Sequence, residues 1–175
     1  MKELKSLDYR LLSELIRNSR RSDRELAKVL HVSQPTVTRR RALVEKELID
    51  GYTAIPRWEK LGYELFAITF VKIKAAIASE EKYDETRKKG FGWVAKQPCI
   101  IMSGACRGMG VDSFMISIHK SYKDYDEFLG NHRLVLGEFI EDVQSILVNL
   151  GGKEIMKSID FRDLIEADAH AKENK

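Results

Sequence analysis

The chain has no stretch of about 18 consecutive apolar residues, so nothing in it reads as a membrane span. Its opening, MKELKSLDYR, lacks the apolar centre of a secretory signal. The expectation is therefore an intracellular, cytoplasmic protein with no membrane partner. Cysteine is scarce as well. Cys99 and Cys106 are without CxxC spacing or neighbouring histidines, which reads as two reduced structural thiols. The histidines, His31, His119, His132 and His170, are scattered, and none stands four residues from another. No zinc motif, no cofactor signature and no internal repeat is visible.

What is present is ordinary for a folded protein. The 175 residues are 43% hydrophobic and 33% charged, enough for one domain or two small ones. The net charge of +3 is unevenly divided. Residues 1–60 hold 14 Lys and Arg against 9 Asp and Glu, whereas residues 61–175 hold 16 against 18. Excess positive charge confined to one end suits contact with a polyanion.

That end contains the most informative segment, Ser22–Arg41, SDRELAKVLHVSQPTVTRRR. Ser22 followed by Glu25 has the spacing of a capping box, in which a hydroxyl and a carboxylate satisfy free N–H groups at a helix start. Leu26, Ala27, Val29 and Leu30 recur at helical spacing. Ser33 suits the cap of a second helix, with Pro35 in its first turn, where a missing N–H matters little. Gln34, Thr36, Thr38 and Arg39 are then expected on the outer side, with Val37 inward. This is the layout of a helix-turn-helix that reads DNA. Arg bonds bidentately to guanine and Gln to adenine in the major groove. Arg40 and Arg41 are further candidates for DNA, although they cannot both face Arg39's groove; at least one is expected to grip phosphate or fold back over the domain. Ser22 and Ser33, at helix N-termini, are candidates for phosphate.

Upstream, Asp8 suits the cap of a first helix through Asn18. Downstream, Ile49–Ile55 reads as a Gly-containing turn and short β segment, a wing, ended by Pro56. The second half changes character. Strands are expected over 64–74, 98–105, 112–119 and 143–150, with helices over 79–89, capped by Ser79, and 122–136. The order βαββαβ is the ferredoxin-like unit. Its two helices cover one face of the sheet, so the other face predicts a partner sheet. The expected organisation is α+β: a winged helix-turn-helix over 1–56, a connector over 57–63, a ferredoxin-like domain for oligomerisation and effector binding over 64–152, and a C-terminal extension over 153–175 with a short strand and helix and a frayed end.

This plan resembles the Lrp/AsnC (feast/famine) family of transcription regulators over nearly the full length. The matching stretches are LDYRLLSEL (7–15), SRRSDRELAKVLHVSQPTVTRRR (19–41), IDGYTAIP (49–56) and KLGYELFAI (60–68), then Ser103-Gly104 and Asp112. The resemblance implies sequence-specific binding of pseudo-palindromic double-stranded DNA by paired recognition helices. It also implies a homodimer joined through the C-terminal sheets, with further assembly to tetramers or octamers, and modulation by an amino acid or other small metabolite. Two departures stand out. The chain is slightly shorter than the family pattern between Val37 and Gly51, with Glu47-Leu48 where a glycine usually closes the recognition helix. The family's short Gly-x-x-Asp turn is expanded here to SGACRGMGVD, Ser103–Asp112.

That loop gathers small residues and free N–H groups around Arg107, a chemistry suited to carboxylate or phosphate, and Asp112 suits an ammonium group. The family's effector position maps to Gly104, Arg107, Gly108 and Asp112, with Ser145 on the last strand. The competing reading is a long hairpin loop packed on another subunit. Trp58, Trp93, Tyr122, Tyr125 and Phe128 read as packing anchors. Two other functions compete with a regulator. Siroheme decarboxylases resemble this family in fold, and His119 and His132 keep an enzyme in view; the capping box, polar helix face and three arginines weigh against it. The other is an architectural protein binding DNA without sequence preference.

Overall fold

The structure is a computed structural model; it describes residues 4–77, 80–152, 155, 157 and 160–162. Two compact units emerge, one built on residues 4–55 and one on residues 56–152.

The first unit is three helices: α1 (Ser6–Arg17), α2 (Asp23–Leu30) and α3 (Gln34–Leu48). Leu11, Leu12 and Leu15 of α1 meet Leu26, Ala27 and Leu30 of α2 and Val37 and Val44 of α3 in one buried cluster. The helix starts differ in how they are satisfied. At α2 the expected box forms: the Ser22 N–H donates to Glu25 Oε2 at 2.7 Å, and the Glu25 N–H donates to Ser22 Oγ at 3.3 Å. At α1 the helix begins two residues before Asp8, whose carboxylate instead reaches back to accept from the Lys5 N–H at 2.7 Å. At α3 the Ser33 hydroxyl makes no cap bond; it lies 2.8 Å from Thr36 Oγ1. The α2–α3 turn rests on His31, in the left-handed region at φ 56°, a conformation uncommon for a side chain with a Cβ. The N–H groups of His31 and Val32 both donate to the Ala27 carbonyl.

No strand forms over residues 49–55, so the expected wing is corrected to an extended segment. A strand needs a ladder partner, and within this unit the segment finds a side-chain contact instead: the Tyr52 hydroxyl donates to Glu45 Oε1 at 2.8 Å. The missing glycine at the end of α3 is accommodated simply, since Ile49 turns the chain to extended geometry (φ −122°, ψ 118°).

The second unit opens with a 3₁₀ turn (Trp58–Leu61), followed by β1 (Leu65–Ile73), α4 (Glu80–Val94), β2 (Ile100–Ala105), β3 (Ser113–His119), α5 (Tyr122–Leu136) and β4 (Ile140–Asn149). The strands form one antiparallel sheet ordered β2-β3-β1-β4, the ferredoxin-like arrangement. α4 runs past the expected end at Lys89, through Gly90 and Gly92, to bury Trp93. β4 starts earlier than expected because Ile140 pairs with Ile73 across a bulge. Ser79, expected as a cap, and most of the expected C-terminal strand and helix lie outside the described residues.

Alternation separates the faces of the sheet. Ala67, Thr69 and Val71 of β1 and Met115, Ser117 and His119 of β3 are buried on the helix side. Tyr125, Phe128, His132 and Leu136 of α5 and Trp93 of α4 are buried as well, most of them in one cluster with Ala67, Val71 and Met115. Trp93 Nε1 donates to Asn131 Oδ1 at 2.7 Å, giving its polar end a partner. Tyr122 stays 64% exposed. On the opposite face Phe66, Ile68 and Phe70 align with Phe114 and Ile116 and with Ile146 and Val148. Ile146 and Met102 are more than half exposed while Ile118, opposite Phe66, is buried, and both α4 and α5 pack on the other face of the sheet.

Candidate nucleic-acid interface

α3 carries the predicted reading residues, and its geometry sorts them. Gln34, Pro35, Thr38 and Arg39 are exposed, and Thr36 is partly so. Val37 is fully buried against the three-helix core. Arg39 makes no hydrogen bond or ion pair among the described residues, leaving its guanidinium for a base edge or phosphate.

The other two arginines are turned inward into ion pairs within the three-helix unit, the folding-back expected of at least one of them. Successive helical side chains diverge by about 100°. Arg40 thus points to α1, where Nη1 lies 3.1 Å from Oδ2 of Asp8, a carboxylate with no exposed surface. Arg41 clamps α2 to α3. Its Nε donates to Glu45 Oε1 at 2.9 Å, and Nη1 donates to Asp23 Oδ1 and to the Arg21 carbonyl, both at 3.1 Å. The ion pairs hold its pKa above the ordinary guanidinium range. Arg21 pairs with Glu14 of α1, and Arg20 remains exposed.

Asp23 is the hub that sequence reasoning missed. Its Oδ2 accepts from Thr38 Oγ1 at 2.6 Å, and its Oδ1 accepts from Arg41. The Thr38 hydrogen bond, assisted by Arg41, lowers its pKa below the usual carboxylate value. Thr38's proton is thereby committed to the protein. Glu25 is likewise lowered by bonds from the Ser22 hydroxyl and N–H, so Ser22 serves first as a cap. Nothing in the sequence marked Asp23, because its partners are 15 and 18 positions away. Arg24 and Lys28 of α2, also passed over, are exposed cations beside this network.

The effector residues are only partly brought together. Gly104 lies on β2, facing the Phe114 ring, and Arg107 and Gly108 are exposed in the β2–β3 loop, with Gly108 at φ 122°. Asp112 stands at the loop's end, but Oδ2 accepts from the Ile73 N–H at 2.7 Å, so half of the carboxylate anchors the loop to β1. Ser145 does not join them within the protomer. It sits on β4, on the far side of β1, and its hydroxyl donates to Thr69 Oγ1 at 3.0 Å. His119 and His132 are buried in the helix–sheet layer. Among the described residues no group of three or more His, Cys, Asp or Glu is placed to hold a metal ion, and no helix is long and apolar enough to cross a membrane.

Residues 4–43, spanning α1, α2 and the N-terminal part of α3, match the model of the AsnC-type helix-turn-helix domain. An uncharacterised HTH-type transcriptional regulator of Pyrococcus abyssi is 35% identical over 101 residues, 53% of this chain and 68% of that protein. The chain belongs to the Lrp/AsnC family. Another family relative, from Pyrococcus furiosus, is 45% identical over 71 residues, 40% of this chain. The chain spans 48% of that relative's length. Among solved structures, a transcriptional regulator of Neisseria meningitidis in complex with L-methionine aligns with a TM-score of 0.75 at 22% identity, over 91% of this chain and 96% of that one. At that identity the family's fold is what the likeness carries.

Proposed function

We propose that this protein is a transcription regulator that binds pseudo-palindromic double-stranded DNA as a homodimer, through paired α3 helices. The observation that carries the reading is the outer stripe of α3. Gln34, Thr38 and Arg39 are exposed there while the neighbouring cations Arg40 and Arg41 are spent on bracing the helix. An uncommitted Arg beside an exposed Gln on a braced helix is what direct readout of a major groove requires. The dimer is supported by the uncovered apolar sheet face, whose burial against a second copy would remove Phe66, Ile68, Phe70 and Ile146 from water. Further assembly to tetramers or octamers and modulation by a small metabolite follow from the family. The L-methionine complex of the Neisseria neighbour supports an amino-acid-sized effector, and the loop from Gly104 to Asp112 is the place on this chain for it.

Selection of bound sequences from a random duplex pool at physiological salt tests the reading. The expected result is a two-fold symmetric site with half-sites about one helical turn apart. Retention of DNA without enrichment would replace it with architectural binding, since counterion release alone gives affinity without sequence preference.

A further inference from the structure

Beneath α4, between that helix and the β2–β3 side of the sheet, lies a cavity of about 800 Å³. It exists because facing positions carry little or no side chain: Gly90 on α4, Ser103 and Ala105 on β2. A Cβ at Gly90 would meet nothing within 4 Å, so neither crowding nor backbone geometry demands the glycine. Protein interiors otherwise pack like organic crystals, and pockets that hold small molecules range over about 300–1,000 Å³. The walls include the aromatic rings of Tyr83, Phe91, Trp93 and Phe139 beside aliphatic residues such as Ile73, Val94 and Leu136.

The polar groups at this cavity are mostly cationic or neutral. Arg107 has no hydrogen bond or ion pair among the described residues. The Arg87 guanidinium lies 5.3 Å from the centre of the Phe91 ring and has no carboxylate partner among the described residues. Asp112 lines the cavity too, but one of its oxygens is held by the Ile73 N–H. His132, 3% exposed, also lines it, and its Nδ1 finds no partner among the described residues. Burial and the charge of Arg133 lower its pKa to about 4, so it offers a neutral ring. An α-ammonium group would meet two guanidiniums here and only part of one carboxylate.

We propose that this cavity binds a carboxylic acid with an aromatic or branched hydrocarbon body, the carboxylate held by Arg107 or Arg87 and the body seated between α4 and β2. The site deepens the effector reading of the Gly104–Asp112 loop, and its regulatory meaning, though not the binding itself, rests on the protein being a DNA-binding regulator.

Titration calorimetry of the full chain with 3-phenylpropionate tests it. The acid should saturate, while 3-phenyl-1-propanol, propionate and phenethylamine should each bind about tenfold more weakly or worse. Gly90→Leu fills the cavity from a helix position where leucine is favoured over glycine, and should weaken the acid about tenfold or more. If that variant does not fold, Ala105→Leu fills the same space from the sheet. The double substitution Arg87→Gln with Arg107→Gln should weaken the acid by about tenfold. Equal binding by the alcohol or the amine, unchanged binding by the filled variants, or no saturation by either 3-phenylpropionate or 4-methylpentanoate at millimolar concentration would overturn the assignment. A shift of operator affinity on adding the acid would support the regulatory part. Acid binding with no such shift would remove that part and leave the binding site standing. Absence of operator binding both with and without the acid would overturn the DNA-binding reading, which the calorimetry does not depend on.

Discussion

The helix-turn-helix unit and the helix–sheet unit solve opposite problems with the space between their elements. In the first, three short helices enclose a small core of leucines, alanine and valines, and ion pairs tie its rim: Arg40 on Asp8, Arg41 on Asp23 and Glu45, Arg21 on Glu14. In the second, Trp93 packs α4 onto the sheet, but at Gly90, Ser103 and Ala105 the facing residues are small and a large space stays open. Reading a groove requires side chains fixed to within a fraction of an ångström, which rewards rigidity. Accepting a ligand requires volume that the fold's own side chains leave empty. One chain carries both because the two needs sit in different units.

The comparison would break most sharply at Arg40. Arg40→Ala leaves Asp8 buried without its counter-charge, and should destabilise the protein by about 3–5 kcal/mol in urea unfolding. A loss under about 1 kcal/mol would mean the rim pairs do not brace the unit. Arg39→Ala, one position away, should leave unfolding within about 0.5 kcal/mol while weakening operator binding by about 1–3 kcal/mol in a gel-shift titration. Equal effects of the two substitutions on both readouts would erase the distinction between bracing and reading arginines.

In the second unit the buried histidine provides a pH test. His132 has its native pKa lowered to about 4, from 6.5 in the unfolded chain. Between those values the unfolded state binds the proton and the native state does not, so stability falls as pH drops from about 6.5 towards 4 and levels below it. His119, also lowered chiefly by burial, acts in the same direction. Urea midpoints measured across that window should decline, and His132→Gln should flatten the decline. A profile unaffected by the substitution would place the effect elsewhere. The smallest expected change is Gly90→Ala, which adds a methyl group to open space in a helix and should stabilise the second unit by about 0.5–1 kcal/mol in thermal unfolding. A loss of stability there would mean the space is filled by neighbours.

Local signals made much of this legible. Ser22 and Glu25 stand three residues apart, so their box could be read without knowing the fold, and it formed as expected. The alternation of Phe114, Ile116 and Ile118 marked β3, and the order of strands and helices carried the ferredoxin-like plan. The wing was misread because β propensity at Ile49–Ile55 names a conformation and not a partner, and a strand without a partner does not form. Ser145 lies on the last strand as expected, but the sequence did not say that β1 and β3 stand between it and the Gly104–Asp112 loop.

The sequence by itself determined the helix-turn-helix segment, the cap of α2, the charge asymmetry and the class of fold, which rest on local spacing and on the order of elements. Only the tertiary structure decided which of three consecutive arginines faces outward. That choice is made by Asp8 and Asp23, 32 and 18 positions from the arginines they bind. It also decided where volume is left empty, since Gly90 and Ala105 become a cavity only when the chain brings a helix and a strand face to face.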